Sequence, residues 1–189
     1  MAVLSFRNSR AKLQGVFNPV WLFWFAFASL IMFDALILLL FANGVPVVAG
    51  KFLRDRGDWP LDFHFIAIDG KPLLGKSKTI RGILLAVLIT TLVAEHLGPG
   101  WQLGMAIGSL SMAGDLLSSF IKRRLGMPSS SQAPGLDQIP EALLPLAVCI
   151  TPLGLQWHEV LILVGVFWVL EVVLSRVFLL LHINKGTSE

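Results

Sequence analysis

The stretch Gly114-Asp115-Leu116-Leu117-Ser118-Ser119-Phe120-Ile121-Lys122-Arg123-Arg124 concentrates the residue types best suited to chemistry. At about 100° per residue, a helix over it sets Asp115, Ser118, Ser119 and Lys122 on one face, and Gly108 and Ser111 extend that stripe inward. Asp115 then lies seven residues, ~10 Å, from Lys122. The surrounding residues are apolar, so a carboxylate at that depth needs a metal ion or a cationic partner. A second acid, Asp137 in Leu136-Asp137-Gln138, stands where the next polar stretch gives way to an apolar one. Its plainest role is a helix N-cap. It can also share a divalent ion with Asp115, since two carboxylates plus substrate phosphates is the usual way Mg2+ is held.

Cations gather upstream at Lys76, Lys78 and Arg81, beside Gly75. Glycine lets backbone N–H groups approach phosphate, and the cations neutralise it. Gly70-Lys71-Pro72-Leu73-Leu74-Gly75-Lys76-Ser77 matches G-x-x-x-x-G-K-[ST] letter for letter. That motif has meaning only between a strand and a helix of a parallel sheet. A polar loop leading into an apolar helix supplies neither sheet nor crossover, so the P-loop reading is rejected. A surface for anionic lipid headgroups is the serious competitor for these cations. Asp34, Glu171 and Arg176 are further charges in apolar surroundings, read as paired with one another or with backbone. His64, His96, His158 and His182 form no H-x-x-x-H pair, and Cys149 is alone, which leaves neither a zinc site nor a disulfide.

The elements that must position these groups are membrane helices. Of 189 residues, 55% are hydrophobic and 14% charged, against roughly 45–50% and about 25% in soluble domains. The mean hydropathy is +0.75. An ordinary cytosolic globule is excluded, and 13 Phe with 6 Trp exclude disorder. Apolar runs predict five transmembrane helices, about residues 20–42, 80–97, 103–121, 139–155 and 157–181, with two long loops, 43–79 and 122–138. The fold class is thus an all-α polytopic membrane protein forming a single domain. Gly98-Pro99-Gly100 marks a turn, Gly104-x-x-x-Gly108 a close helix approach, and Pro140, Pro145 and Pro152 a kinked or partly re-entrant fourth segment. The region from Asn43 to Arg81 holds seven cations and the second loop begins with three, against three in the N-terminal tail. The positive-inside rule places both loops in the cytoplasm. The tryptophans mostly mark segment ends and read as interfacial anchors, and nothing supports nucleic-acid binding.

The series Ala42-Asn43-Gly44-Val45-Pro46, Pro60-Leu61-Asp62-Phe63, Gly75-Lys76-Ser77-Lys78-Thr79-Ile80-Arg81-Gly82, Gly114 to Gly126 and Leu136-Asp137-Gln138 resembles the CDP-archaeol synthase family in order and spacing. The resemblance implies a small five-helix cytidylyltransferase related to CDP-diacylglycerol synthases. Such an enzyme transfers CMP from CTP to a lipid phosphate, releases pyrophosphate and uses Mg2+. It implies metal ligation by Asp115 and Asp137, which with Lys122 and Arg123 would be the catalytic groups. Asn43, Lys76, Ser77, Lys78, Thr79, Arg81, Ser118 and Arg124 would bind substrate, and Asp62 matches without an assigned role. One departure stands out: the acid expected three residues after Asp137 is Pro140 here, followed by Glu141. Expected partners are CTP, a lipid phosphate and membrane lipids, with homodimer formation left open. The expected location is the cell membrane, with the site facing the cytoplasm. Two alternatives are a non-catalytic protein binding anionic lipid or a partner through its basic loops, and a CDP-alcohol phosphotransferase. The acids among the cations argue against the first; the absence of D-x-x-D-G-x-x-A-R argues against the second.

Overall fold

The structure, a computed structural model, describes residues 19–53 and 59–183, and side chains within 29–50, 52 and 59–177. The basic N-terminal tail, Arg54 and Arg56 lie outside the described residues. Among the described residues five helices follow in order: α1 (Pro19–Leu53), α2 (Ile80–Leu97), α3 (Trp101–Arg124), α4 (Gln138–Val148) and α5 (Trp157–Ile183). Two isolated bridges, Pro60 with Thr79 and Ile66 with Pro72, are the β pairing among the described residues. The parallel sheet that the Walker-like sequence would need is not present among the described residues.

Stretches of α1, α2, α3 and α5 are long and apolar enough to cross a membrane. The chain is therefore an integral multi-pass membrane protein. At 11 residues, α4 is about 16 Å long, well short of a bilayer core of ~30 Å. The expected span to residue 155 is corrected accordingly. After Val148 the chain turns, with Leu153 N–H donating to the Cys149 carbonyl, Gly154 N–H to Thr151 and Leu155 N–H to Ile150, at 2.9–3.0 Å. Pro152 keeps the residue before it out of helix, and these turn bonds satisfy the backbone.

α1 shows the opposite deviation. Asn43-Gly44 with Pro46 reads as a stop near residue 42, yet the helix runs to Leu53 through Pro46. At a membrane boundary a helix is the conformation that satisfies its own backbone, and Pro46 packs where a Cβ on Gly82 of α2 would meet it at 3.4 Å.

α2 has the predicted bounds because both ends are encoded. The Thr79 hydroxyl accepts from Gly82 N–H at 3.2 Å, and Gly98 ends the helix at φ 112°, donating to Ala94. Its buried residues Gly82, Ala86, Thr90 and Ala94 repeat every four positions. Against them lie Gly104 and Gly108 of α3, where a Cβ would stand 2.4 Å from Ala94 Cβ and 3.1 Å from Val87 Cα respectively. The small-residue spacing thus performs the close approach read from it. α3 is central and touches α1, α2 and α4. Its Gly114 faces α4 so closely that a Cβ would be 2.3 Å from the Pro140 carbonyl oxygen. Leu84, Leu88 and Leu92 of α2 point outward, as lipid-facing side chains do.

Candidate active site

A cavity of ≈ 890 Å³ opens between the end of α1, the start of α2, the second half of α3, the start of α4 and the last turns of α5. Its lining includes Asn43, Lys76, Ser77, Lys78, Thr79, Asp115, Lys122, Arg123 and Asp137. Residues far apart in sequence are therefore brought to one wall.

Two ion pairs organise it. Lys78 Nζ lies 2.6 Å from each carboxylate oxygen of Asp115. Lys122 Nζ lies 2.5 Å from Asp137 Oδ1 and donates to the Ser131 carbonyl at 3.0 Å. Asp137 is the residue before α4 but makes no side-chain cap. Its Oδ2 instead accepts from Ala133 N–H at 2.9 Å, closing the second loop. Its Oδ1 carries the ion pair with Lys122. The polar seam of α3 faces inward as expected, with Ser111, Ser118, Ser119 and Lys122 all buried. Asn43 bridges helices by donating to Ser111 Oγ and to its own Leu39 carbonyl, both at 2.9 Å.

The first loop is shaped by Asp62. Its carboxylate accepts from the backbone N–H of Leu74 and Gly75, both at 2.9 Å, and of His64 at 3.1 Å. Burial opposes ionisation of this group, but the Gly75, Leu74 and His64 donors and the His64 charge outweigh it and hold the carboxyl below its usual range. Gly75, at φ 97°, takes a backbone conformation that other residues rarely adopt, and a Cβ there would stand 2.7 Å from Ser129 Oγ and 3.2 Å from the Arg123 guanidinium. The cation-bearing segment Lys76 to Thr79 leaves from this point toward the cavity.

Not every expected residue faces the cavity. Arg124 reaches away, pairing with Asp69 and donating to the Pro72 carbonyl, both at 2.5 Å, with Phe120 under its guanidinium. Arg81 borders a separate surface hollow with Trp59, Ile80, Leu84 and Leu85. Ser118 donates back to the Asp115 carbonyl at 2.9 Å, while its neighbour Ser119 lines the cavity. Arg123 lines it too, but its guanidinium is engaged by the Pro128 carbonyl at 2.7 Å and Ser131 Oγ at 3.4 Å.

Two acids and an arginine join the wall beyond the basic loops. Glu141, buried on α4, is in hydrogen-bonding contact with Asp115. Glu171 lines the cavity from α5, as does Arg176. Five residues apart on a helix, Glu171 and Arg176 project about 140° apart. Among the described residues, no three His, Cys, Asp or Glu side chains form a complete metal cage. A hard divalent ion completed by substrate phosphates needs only one or two protein carboxylates.

With this geometry in place, similarity to known proteins is informative. Residues 95–184 match the family model described as CarS-like: CDP-archaeol synthase. The CDP-archaeol synthase of Sulfurisphaera tokodaii is 36% identical over 170 residues, covering 87% of this chain and 96% of that protein. That of Aeropyrum pernix is 40% identical over 140 residues, covering 66% and 72%. A solved structure of an intramembrane enzyme for archaeal membrane lipids biosynthesis superposes with a TM-score of 0.62 at 31% identity, covering 75% of this chain and 90% of that one.

Proposed function

The chain belongs to the CDP-archaeol synthase family, and on that premise we propose that it transfers CMP from CTP to an ether-lipid phosphate of its own membrane, giving CDP-archaeol and pyrophosphate. The observation that carries this reading is the pairing of Lys78 with Asp115 and of Lys122 with Asp137 on one cavity wall. A surface that merely holds anionic lipid gains nothing from acids among its cations.

A phosphate oxygen of the lipid forms the new bond to the α-phosphorus of CTP. The bond from that phosphorus to the α,β-bridging oxygen breaks, and pyrophosphate leaves with its electron pair. The nucleophile is already an anion, so no strong general base is required. Catalysis consists of cancelling anion repulsion and holding the two groups in line. Lys76, Lys78 and Lys122 are the cations placed for the phosphates, and Asn43 and Ser77 offer hydrogen bonds at the rim. Asp115 and Asp137, completed by the substrate phosphates, would hold Mg2+, which when bound neutralises phosphate charge. Glu141, beside Asp115, would support that ion from the position next to Pro140; positions three and four after Asp137 share a helix face. The excess of cations in both long loops supports a site on the cytoplasmic face of the cell membrane.

The test is incorporation of labelled CTP into a panel of lipid phosphates by purified protein. Incorporation into an ether-lipid phosphate, dependent on Mg2+ and abolished by Asp115→Asn and by Asp137→Asn in folded protein, is the expected result. If no lipid phosphate accepts the nucleotide, the proposal fails and a headgroup-binding role replaces it.

A further inference from the structure

The first loop carries apolar surface that the catalytic reading does not use. Trp59, Phe63, Phe65, Ile66 and Ile68 are all well exposed, Ile68 completely so. The other long loop, at the same end of the bundle, exposes a single large hydrophobic residue over 122–137, Leu125. Apolar exposure is thus concentrated in this loop, and apolar exposure concentrated in one place marks an interaction surface.

The patch is built rigidly. Ala67 N–H donates to Lys71 and Leu73 N–H to Phe65, at 2.9 and 3.0 Å, forming a short arm with Ile66 to Gly70 at its tip. Phe63 and His64 occupy left-handed backbone at φ 46° and 64°, conformations that non-glycine residues adopt only when held. Asp62 holds them, through His64 N–H. The arm's charged residues are drawn to one side: Arg124 binds Asp69 and the Pro72 carbonyl, and Lys71 Nζ donates to the Arg124 carbonyl at 3.0 Å. The apolar side chains are left exposed on the arm.

Continuity identifies what covers them. The base of the arm is fastened to the start of α2, with Ile80 N–H donating to Trp59 at 3.0 Å and Leu61 N–H to Lys78 at 2.8 Å. Trp59 shares a surface hollow with Ile80, Arg81, Leu84 and Leu85. Leu84 begins the outward-facing Leu84-Leu88-Leu92 stripe that lipid must cover. The apolar surface of the loop therefore starts where the lipid-facing surface of α2 ends, with a tryptophan and an arginine at the junction, the residue types of a membrane interface.

We propose that the arm over residues 59–73 lies in the interfacial layer of the same bilayer, its Phe63, Phe65, Ile66 and Ile68 side chains inserted among lipids, as a fixed shelf beside the cavity. The partner is the lipid leaflet itself, recognised by apolar insertion.

The experiment uses the full chain in vesicles of phosphatidylcholine and phosphatidylglycerol, and needs no turnover, so it stands or fails apart from the proposed reaction. An environment-sensitive fluorophore is attached at Ile68→Cys, at Phe65→Cys and, for comparison, at Ser129→Cys on the second loop. Cys149 is the one native cysteine and is buried. Expected are blue-shifted emission at positions 65 and 68, quenching by nitroxide-labelled lipid, and several-fold weaker quenching by aqueous iodide than at 129. Equal iodide access at all three positions would overturn the proposal. So would protection at 65 and 68 that disappears on dilution into excess lipid, which would assign the face to a second copy of the chain.

Discussion

Lys78 sets one ammonium 2.6 Å from both carboxylate oxygens of Asp115, fastening the first loop to the middle of the central helix. Removing Lys78 leaves Asp115 facing Glu141, two carboxyl groups in one partly buried place, whereas Asp115→Asn removes one of them. Lys78→Met is therefore expected to be the more destabilising change. A double-mutant cycle on thermal unfolding in detergent should give a coupling of roughly 0.5–3 kcal/mol. Additive effects would show that the pair does not tie the loop down. Both single variants should also lose CTP incorporation.

Asp62→Ala deprives three backbone N–H groups of their acceptor at a buried position, a loss of about 1–3 kcal/mol in the loop. The expected kinetic result is a raised KM for CTP with a smaller change in kcat, partly restored in Asp62→Asn, which keeps one carbonyl oxygen. The pH dependence follows from the direction of the shift. The folded carboxyl titrates below the ordinary value, so its contribution is present above about pH 3.9 and is lost as pH falls through the folded value. Pepsin nicking within residues 59–79 should rise only on the acid side of that range in the native chain, and throughout the acid range in Asp62→Ala.

Gly114→Ala would drive a methyl group into the Pro140 carbonyl and separate α3 from α4. A cost of about 1–3 kcal/mol is expected, together with lost turnover, since Asp115 and Glu141 meet across this contact. Gly165→Ala on α5 meets nothing within 4 Å and should be neutral or stabilising by up to ~1 kcal/mol. Unfolding midpoints of the two variants separate a packing requirement from a general intolerance of helix glycines.

Metal binding can be read without turnover. Titration with Mn2+ followed by electron paramagnetic resonance should show binding in the presence of CTP that Asp137→Asn and Glu141→Gln each weaken, by roughly the 10–100-fold seen when residues supporting a metal are lost. Native affinity in Glu141→Gln would show that Glu141 does not support the ion and leave the departure at Pro140 uncompensated.

Much of this architecture is legible in the residues themselves. α2 is bounded correctly because Thr79 and Gly98 are side-chain and backbone caps whose chemistry is local. The end of α1 is not legible, because Asn43, Gly44 and Pro46 stop a helix in water and are tolerated at a membrane boundary. The length of α4 is hidden because hydropathy does not distinguish a helix from an apolar turn whose backbone is satisfied. In the site, Asp115, Asp137, Lys78 and Lys122 stand out because charges are scarce in such a chain. The run Lys122-Arg123-Arg124 resists division from sequence alone. Successive residues project about 100° apart, and only the packing of the two loops decides that Lys122 faces the cavity while Arg124 grips the arm. Asp62 is a recognisable part of the pattern, but its role depends on a turn twelve residues away and needs the folded loop.

The cavity wall carries Lys76, Lys78, Lys122, Arg123 and Arg176 against Asp115, Asp137, Glu141 and Glu171, a formal surplus of one positive charge. So nearly balanced a lining has little far field of its own with which to draw a polyanion from solution. Steering falls instead to the surplus cations of the two long loops around the mouth. Their reach is a Debye length of ~8 Å at physiological ionic strength, so added salt should slow nucleotide capture. Discrimination rests on what happens after contact, when phosphate oxygens compete with Asp115 and Asp137 for the lysines those acids already hold.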